Sequence, residues 1–291
     1  MKVTGIIPAR LASSRFPGKP LVEIEGLPMV IHVMKRAMLC DYLDEVCVAT
    51  DSRKIFSTVE KYGGRAIMTS SKHKTGTDRI AEAASKIGTS EIVVNIQGDE
   101  PLVNPDDISK LVKAVSRDAS CKFATLICKT PSRNDDTECK VVLDLNDNIL
   151  YMSRSDIPSP ARVKISHLYK LYCVVAFRKP FLQKFAGWPL TPLEKIEYIE
   201  YIRILERGYK MKGVIVDEYS TSVDTPRDLI RVKKMMKLDK IKNRYLSAFA
   251  QKATALKSGM NANKQRFGGM SPSTLKADLA DAKRGKRRRV L

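Results

Sequence analysis

No two cysteines in this chain fall in a C-x-x-C spacing, and its three histidines are scattered. Cys40, Cys47, Cys121, Cys128, Cys139 and Cys173 lie mostly inside apolar runs such as EVCVAT and LYCVVAF. That pattern reads as buried free thiols, with a zinc site or a disulfide framework as the lesser alternative. No stretch approaches the roughly 18 apolar residues of a membrane span. The opening MKVTGIIPARLASSR lacks the apolar core of a signal peptide and a small-residue cleavage site, so a cytoplasmic location is expected.

Acidic residues are also in short supply: 32 against 52 Lys and Arg, a formal net charge of +20. The imbalance is local. From residue 230 to 291 there are about 18 basic residues and about 3 acidic ones, so most of the excess sits there. The preceding body is near neutral and lacks an interleaved aromatic and basic motif. Nucleic acid is therefore not the expected primary partner, although KRGKRRRVL alone would bind phosphate non-specifically.

The chain has enough apolar residues, 43%, for a substantial core. VTGIIPA, EVCVAT, RAIMT and EIVVNIQ read as strands. PMVIHVMKRAML, SRKIFSTVEKY, TDRIAEAASKI and NPDDISKLVKAV read as the helices between and after them. This order predicts an α/β fold with a mostly parallel, doubly wound, Rossmann-like sheet. Ligands of such sheets bind beyond the carboxyl ends of the strands. FATLICK, CKVVLDL, ILYMSRS and YKLYCVVAF read as further strands, and TPLEKIEYIEYIRILERG as one long helix. MKGVIVDEY and TPRDLIRVKKMMKL complete the pattern as a strand and a helix. The expected organisation is a domain over 1–245, with a smaller β-rich lobe at about 125–210, and a basic mobile tail over 246–291.

The loop after the first strand reads PARLASSRFPGKPL. Arg10, Arg15 and Lys19 place three cations in it, and Ser13, Ser14 and Gly18 let backbone amides approach an anion. It matches neither G-x-x-x-x-G-K-[ST] nor G-x-G-x-x-G. Phosphate binding and an ordinary basic surface loop both stand on this chemistry. Asp99 follows a buried strand in NIQGDEP and reads alone as a turn residue or a ligand. Asp224 precedes a helix in VDTPRDL and reads alone as a ligand or a cap, with Thr225 the better cap. As a pair they supply hard oxygens of the kind Mg²⁺ takes. Thr77 and Asp78 alone read as a helix start, and Gln97 as a turn residue.

Taken together, IIPAR…SSRFPGKPL, VATD, GTDRIAEA, VVNIQGDEP, KVVLD, YMSRSDIP, PLEKIE and VDTPRDL resemble the CMP-Kdo synthetase family, the 3-deoxy-manno-octulosonate cytidylyltransferases. The resemblance covers about residues 1–237. It implies a nucleotide-diphospho-sugar transferase-like fold, a homodimer built through the smaller lobe, and transfer of CMP from CTP to a Kdo-type sugar acid. It gives Asp99 and Asp224 to Mg²⁺. Arg10, Ser13, Ser14, Arg15 and Lys19 go to the triphosphate, and Thr77, Asp78, Arg79 and Gln97 to the cytidine. It places Arg154, Glu197, Glu200, Tyr201 and Arg203 about the sugar acid. On a continuous helix Glu197, Glu200 and Arg203 would share one face.

The acceptor half departs from the family pattern. Leu171 stands where a histidine is usual, with Cys173 and Val175 in place of glycine and tyrosine, and Tyr201 replaces a glutamine. His167 would compensate only in another alignment. An altered acid, such as an amino-Kdo, a sialic-acid-like sugar or a phosphonate, is the alternative acceptor. A silent nucleotide-binding regulator is disfavoured by the two aspartates.

Overall fold

The computed structural model describes residues 1–12, 16–131, 133–159, 161–217 and 220–246 of the 291. Met1–Asp239 form one compact unit; Lys240–Leu291 form a second, of which 240–246 are described and helical.

The unit begins with β1 (Val3–Ala9), the short pair β2 (Glu23–Ile24) and β3 (Leu27–Pro28), α1 (Met29–Ala37) and β4 (Glu45–Thr50). There follow α2 (Arg53–Lys61), β5 (Arg65–Met68), α3 (Gly76–Ile87), β6 (Ile92–Ile96) and α4 (Pro105–Arg117). Next come β7 (Phe123–Thr130), β8 (Lys140–Leu143), β9 (Ile149–Ser153) and β10 (Leu168–Arg178). The last elements are α5 (Lys179–Ala186), α6 (Pro192–Glu197), α7 (Ile202–Glu206), β11 (Lys212–Val216) and α8 (Pro226–Leu238).

The main sheet runs β11-β7-β10-β6-β1-β4-β5, with β8 beside β10 and β9 beside β8. β1 pairs in parallel with β4 and β6, β4 with β5, and β7 with β11. Only β10 runs against its neighbours β6, β7 and β8, and β8 and β9 form an antiparallel pair. The mainly parallel α/β expectation therefore holds. All five residues of β6 are buried, as are six of seven in β1. Strands covered on both faces read as continuous apolar runs, which is why these were legible.

From β1 the chain steps outward to β4 and β5, then returns across β1 to form β6. The winding direction reverses between β1 and β6, so a crevice opens beyond their carboxyl ends. Gly98 is fitted to this approach: a Cβ there would lie 2.8 Å from Pro8 O.

Two further features fix this end of the sheet. A small core of Ile24, Met29, Val223, Val232 and Met236 seats α8 against α1 and the β2–β3 hairpin. The buried Arg36 guanidinium donates to the carbonyls of Leu102 and Val103 and, through Nη1, to Asp239 Oδ2 at 2.6 Å.

The expected single helix over TPLEKIEYIEYIRILERG is two short helices. α6 starts after Thr191, as the Thr-Pro pair predicted, and Thr191 N donates to Glu194 Oε2 at 3.3 Å. Tyr198 then adopts φ 58, its N–H bonds back to Glu194 O, and the chain turns before α7. Periodicity carries no mark of that turn, because Tyr198 is neither glycine nor asparagine.

Candidate active site

Lys19 begins a one-turn 3-10 helix whose preceding Gly18 has φ 73. Its Nζ donates to Asp99 Oδ2 at 2.6 Å and to Asp224 Oδ1 at 3.4 Å. Three segments distant in sequence thus meet at one ammonium. Asp99 lies in the loop after β6. Asp224 stands before α8, and Val223 N donates to Asp99 O at 2.9 Å, which ties the two carboxylate-bearing segments together. Thr225, with Asp228, caps α8 through a capping box, so Asp224 is not the cap.

Arg10, Lys19, His73, Lys74, Gln97, Asp99 and Asp224 line a cleft of about 250 Å³ over this point. The cations suit a polyphosphate. Ser13, Ser14 and Arg15 lie outside the described residues. Gly76 at the start of α3 also lines the cleft, so a helix N-terminus adds backbone donors to the wall. Thr75 caps α3, with Asp78 as its capping-box partner. Arg79 reaches the wall, but it is 3% exposed and its guanidinium donates to Thr69 Oγ1 at 2.7 Å and Asp51 Oδ2 at 2.9 Å. Its side chain braces α3 against the end of β4.

A larger cavity of about 610 Å³ adjoins the first, and Asp224 lines both. Arg154, Lys170, Leu171, Glu200 and Tyr201 are among its walls. Among the described residues, the Arg154 guanidinium donates only to carbonyl oxygens, those of Asp136, Thr137, Glu197 and Tyr198. None of those partners is charged, and together they take four of the guanidinium's five N–H groups. Glu200 is half-buried, its Oε2 accepts from Thr77 Oγ1 at 2.7 Å, and desolvation of its carboxyl raises its pKa. Tyr201 packs against Phe123, and its hydroxyl accepts from Asn95 Nδ2 at 3.4 Å.

The break at Tyr198 separates three residues expected on one face. Glu197 turns to β9, where its carboxylate accepts from Ser153 Oγ at 2.9 Å and Arg154 N at 2.9 Å. Glu200 faces the cavity. Arg203 is 4% exposed and points elsewhere: it forks onto Glu194 at 2.7 and 2.6 Å, donates to Trp188 O, and covers the Phe185 ring. Neither Glu197 nor Arg203 lines the cavity. His167 bonds Ser166 and is also absent from its walls.

Sequence reading missed five residues here, one of them Lys74 in the cleft wall. Glu100, beside Asp99, is buried in the larger cavity's wall; burial, then the Asp99 and Asp224 charges, push its pKa up to about 8. Its place inside the NIQGDEP motif was the available signal. Lys170 and Glu138 form an ion pair in the same wall with no local signal, being 32 positions apart. His73 in the cleft is held by Glu82. Against a burial penalty, bonds from Lys86, Ser70 N and His73 hold Glu82 down at about 2.

The carboxylates of Asp99 and Asp224 both reach Lys19 Nζ. That convergence fits a divalent ion that arrives with phosphate oxygens. Among the described residues no group of three or more His, Cys, Asp or Glu could enclose a metal without such help.

Fold and cleft together are those of a nucleotidyltransferase. A family profile described as cytidylyltransferase matches residues 4–213. The 3-deoxy-manno-octulosonate cytidylyltransferase of Syntrophotalea carbinolica is 42% identical over 246 residues, 80% of this chain and 97% of that protein. The 8-amino-3,8-dideoxy-manno-octulosonate cytidylyltransferase of Shewanella pealeana is 44% identical over 235 residues, 79% of this chain and 96% of that protein. A solved CMP:2-keto-3-deoxy-manno-octonic acid synthetase in complex with CTP superposes with a TM-score of 0.79 at 36% identity, over 82% of this chain and 99% of that one. A 4-diphosphocytidyl-2C-methyl-D-erythritol synthase from Anaerococcus prevotii, at 17% identity and a TM-score of 0.53, shares the fold alone. The chain belongs to the cytidylyltransferase family, in its CMP-Kdo synthetase branch. No helix of the described residues is long and apolar enough to cross a membrane.

Proposed function

We propose that the chain transfers CMP from CTP to the anomeric hydroxyl of a Kdo-type sugar acid and releases pyrophosphate. The carrying observation is that Asp224 lines both cavities, as a nucleotide site and an acceptor site that meet at one carboxylate would require. The hydroxyl oxygen attacks the α-phosphorus in line, the bond to the β,γ-diphosphate breaks, and the hydroxyl proton is released. Arg10, Lys19 and Lys74 line the cleft where the leaving diphosphate gains charge, and fixed cations there favour the transition state over the ground state. Arg154, whose charge no bonded carboxylate offsets, would hold the acid's carboxylate. Gln97 would meet the pyrimidine edge with one donor and one acceptor. Asp99 and Asp224 would hold Mg²⁺, which polarises the α-phosphoryl group and lowers the acceptor hydroxyl's pKa when bound. Positioning and electrostatics carry most of the remaining catalysis.

One observation favours an amine-bearing acceptor as a second reading. Besides Glu100, which burial keeps protonated near neutral pH, the larger cavity carries the carboxylates of Glu138, Glu200, Asp224 and Asp228 against the cations Arg154 and Lys170. An ammonium on the acceptor would offset that surplus, while Leu171 and Tyr201 offer less polar capacity than the family's histidine and glutamine. Pyrophosphate release should be followed with CTP or UTP, Mg²⁺, and a panel of Kdo, 8-amino-Kdo and sialic acid. Turnover with CTP and an octulosonic acid is expected. The ratio of kcat/KM for the amino and hydroxy acids decides between the two readings, and no release with any sugar acid rejects both.

A further inference from the structure

We propose that Lys19 is an internal counterion that keeps the Asp99–Asp224 pair closed to divalent metal until nucleotide phosphate draws its ammonium away. This rests on the reading of Asp99 and Asp224 as metal ligands given above. Two carboxylates that converge on one point repel each other unless a cation lies between them. Lys19 Nζ supplies that cation at 2.6 and 3.4 Å. Mg²⁺ needs the same oxygens at about 2.0–2.1 Å. An ammonium in hydrogen-bond contact with those oxygens would stand within a few ångströms of the metal, with both charges positive. Ammonium and metal therefore exclude each other from this position.

The same side chain has a second destination. Lys19 lines the nucleotide cleft beside Arg10 and Lys74. A lysine carries a compact charge on a flexible four-carbon stem, so its ammonium can move from carboxylate to phosphate without backbone change. Polyphosphate in the cleft would draw the ammonium off the aspartates and expose their oxygens. Metal affinity is then low in the free protein and rises with nucleotide, and by linkage metal raises nucleotide affinity by the same factor. The device would keep the free enzyme from holding a metal with no phosphate to act on.

The test uses the full-length protein without nucleotide and reads Mn²⁺ binding directly, by loss of the free-ion paramagnetic resonance signal. Lys19→Met should bind Mn²⁺ at least about tenfold more tightly than wild type, as removal of one close like charge requires. Lys19→Gln, which keeps a polar head, provides a second variant should the first fold poorly. Lys74→Met removes a cleft cation bonded to neither aspartate and should shift affinity by less than about threefold. Lys19→Met with Asp99→Asn should lose the gain. Equal Mn²⁺ affinity in wild type and both Lys19 variants, or an equal gain in Lys74→Met, overturns the counterion role. A gain that survives Asp99→Asn shows that the metal ligands were misassigned and overturns the proposal by that route.

Discussion

Thr77 Oγ1 donates to Glu200 Oε2 at 2.7 Å, joining the first turn of α3, on the nucleotide side, to the wall of the larger cavity. Thr77 itself lines neither cavity. Its substitution therefore acts through Glu200. In Thr77→Val the carboxylate loses one of its donors, and a hydrogen bond to a charged group is worth about 1.5–3 kcal/mol. Steady-state kinetics should show the acceptor KM rising roughly tenfold while the CTP KM moves little. The opposite split would assign Thr77 to the nucleotide.

Glu100 gives a pH-dependent prediction. Its folded pKa of about 8 lies above the ordinary 4.5 because of burial and the neighbouring carboxylates. Between those values the native state keeps a proton that the unfolded chain has lost. Stability therefore falls as pH rises through that window and levels off above it. Glu100→Gln cannot ionise and should escape this loss. Urea unfolding should find the variant's advantage over wild type absent near pH 4 and greatest near pH 8. A constant difference across that range would show that Glu100 does not titrate this way.

Arg203 is expected to matter for folding rather than for the acceptor. Its two-pronged contact with Glu194 is buried, and removing one partner of such a pair costs about 3–5 kcal/mol. Arg203→Met should lower the urea midpoint accordingly and leave the acceptor KM of the folded fraction unchanged.

These residues show where sequence stops informing. The winding order was legible because each parallel strand is a short apolar run bounded by polar turns. The cleft was legible because Lys19, Asp99 and Asp224 each follow or precede such an element. Arg203 and Glu197 were not, since their roles depend on the left-handed turn at Tyr198, which interrupts no helical period. Tyr198 is 85% exposed, so its apolar bulk also gave no warning of a break. The partners of Arg79, Asp51 and Thr69, were not legible either, since they come from segments that only the folded sheet brings beside it.

Removing either site carboxylate should stop turnover without unfolding the protein. Asp99→Asn and Asp224→Asn each remove a hard oxygen donor from the proposed metal, a loss of several kcal/mol of transition-state stabilisation. kcat should fall on the order of 10²-fold or more, with circular dichroism and the urea midpoint near wild type. Unchanged turnover in either variant would remove that residue from the metal site.

The basic segment is expected to be dispensable for the chemistry. The family profile ends at residue 213 and every proposed site residue precedes Asp239. A chain ending at residue 246 should turn over CTP with kcat/KM within about threefold of the full chain, checked by the same pyrophosphate assay.

A chain shortened a little further would meet a different fate. Arg36 reaches from α1 to the carbonyls of Leu102 and Val103, and it also pairs with the carboxylate of Asp239, the residue just after α8. A stop codon before position 239 would strip that carboxylate from a guanidinium only 2% exposed, and would do so at the loop that descends from Asp99. The folded enzyme thus needs its chain at least as far as Asp239, for the sake of a charge buried some 200 positions earlier, at a point no catalytic motif marks.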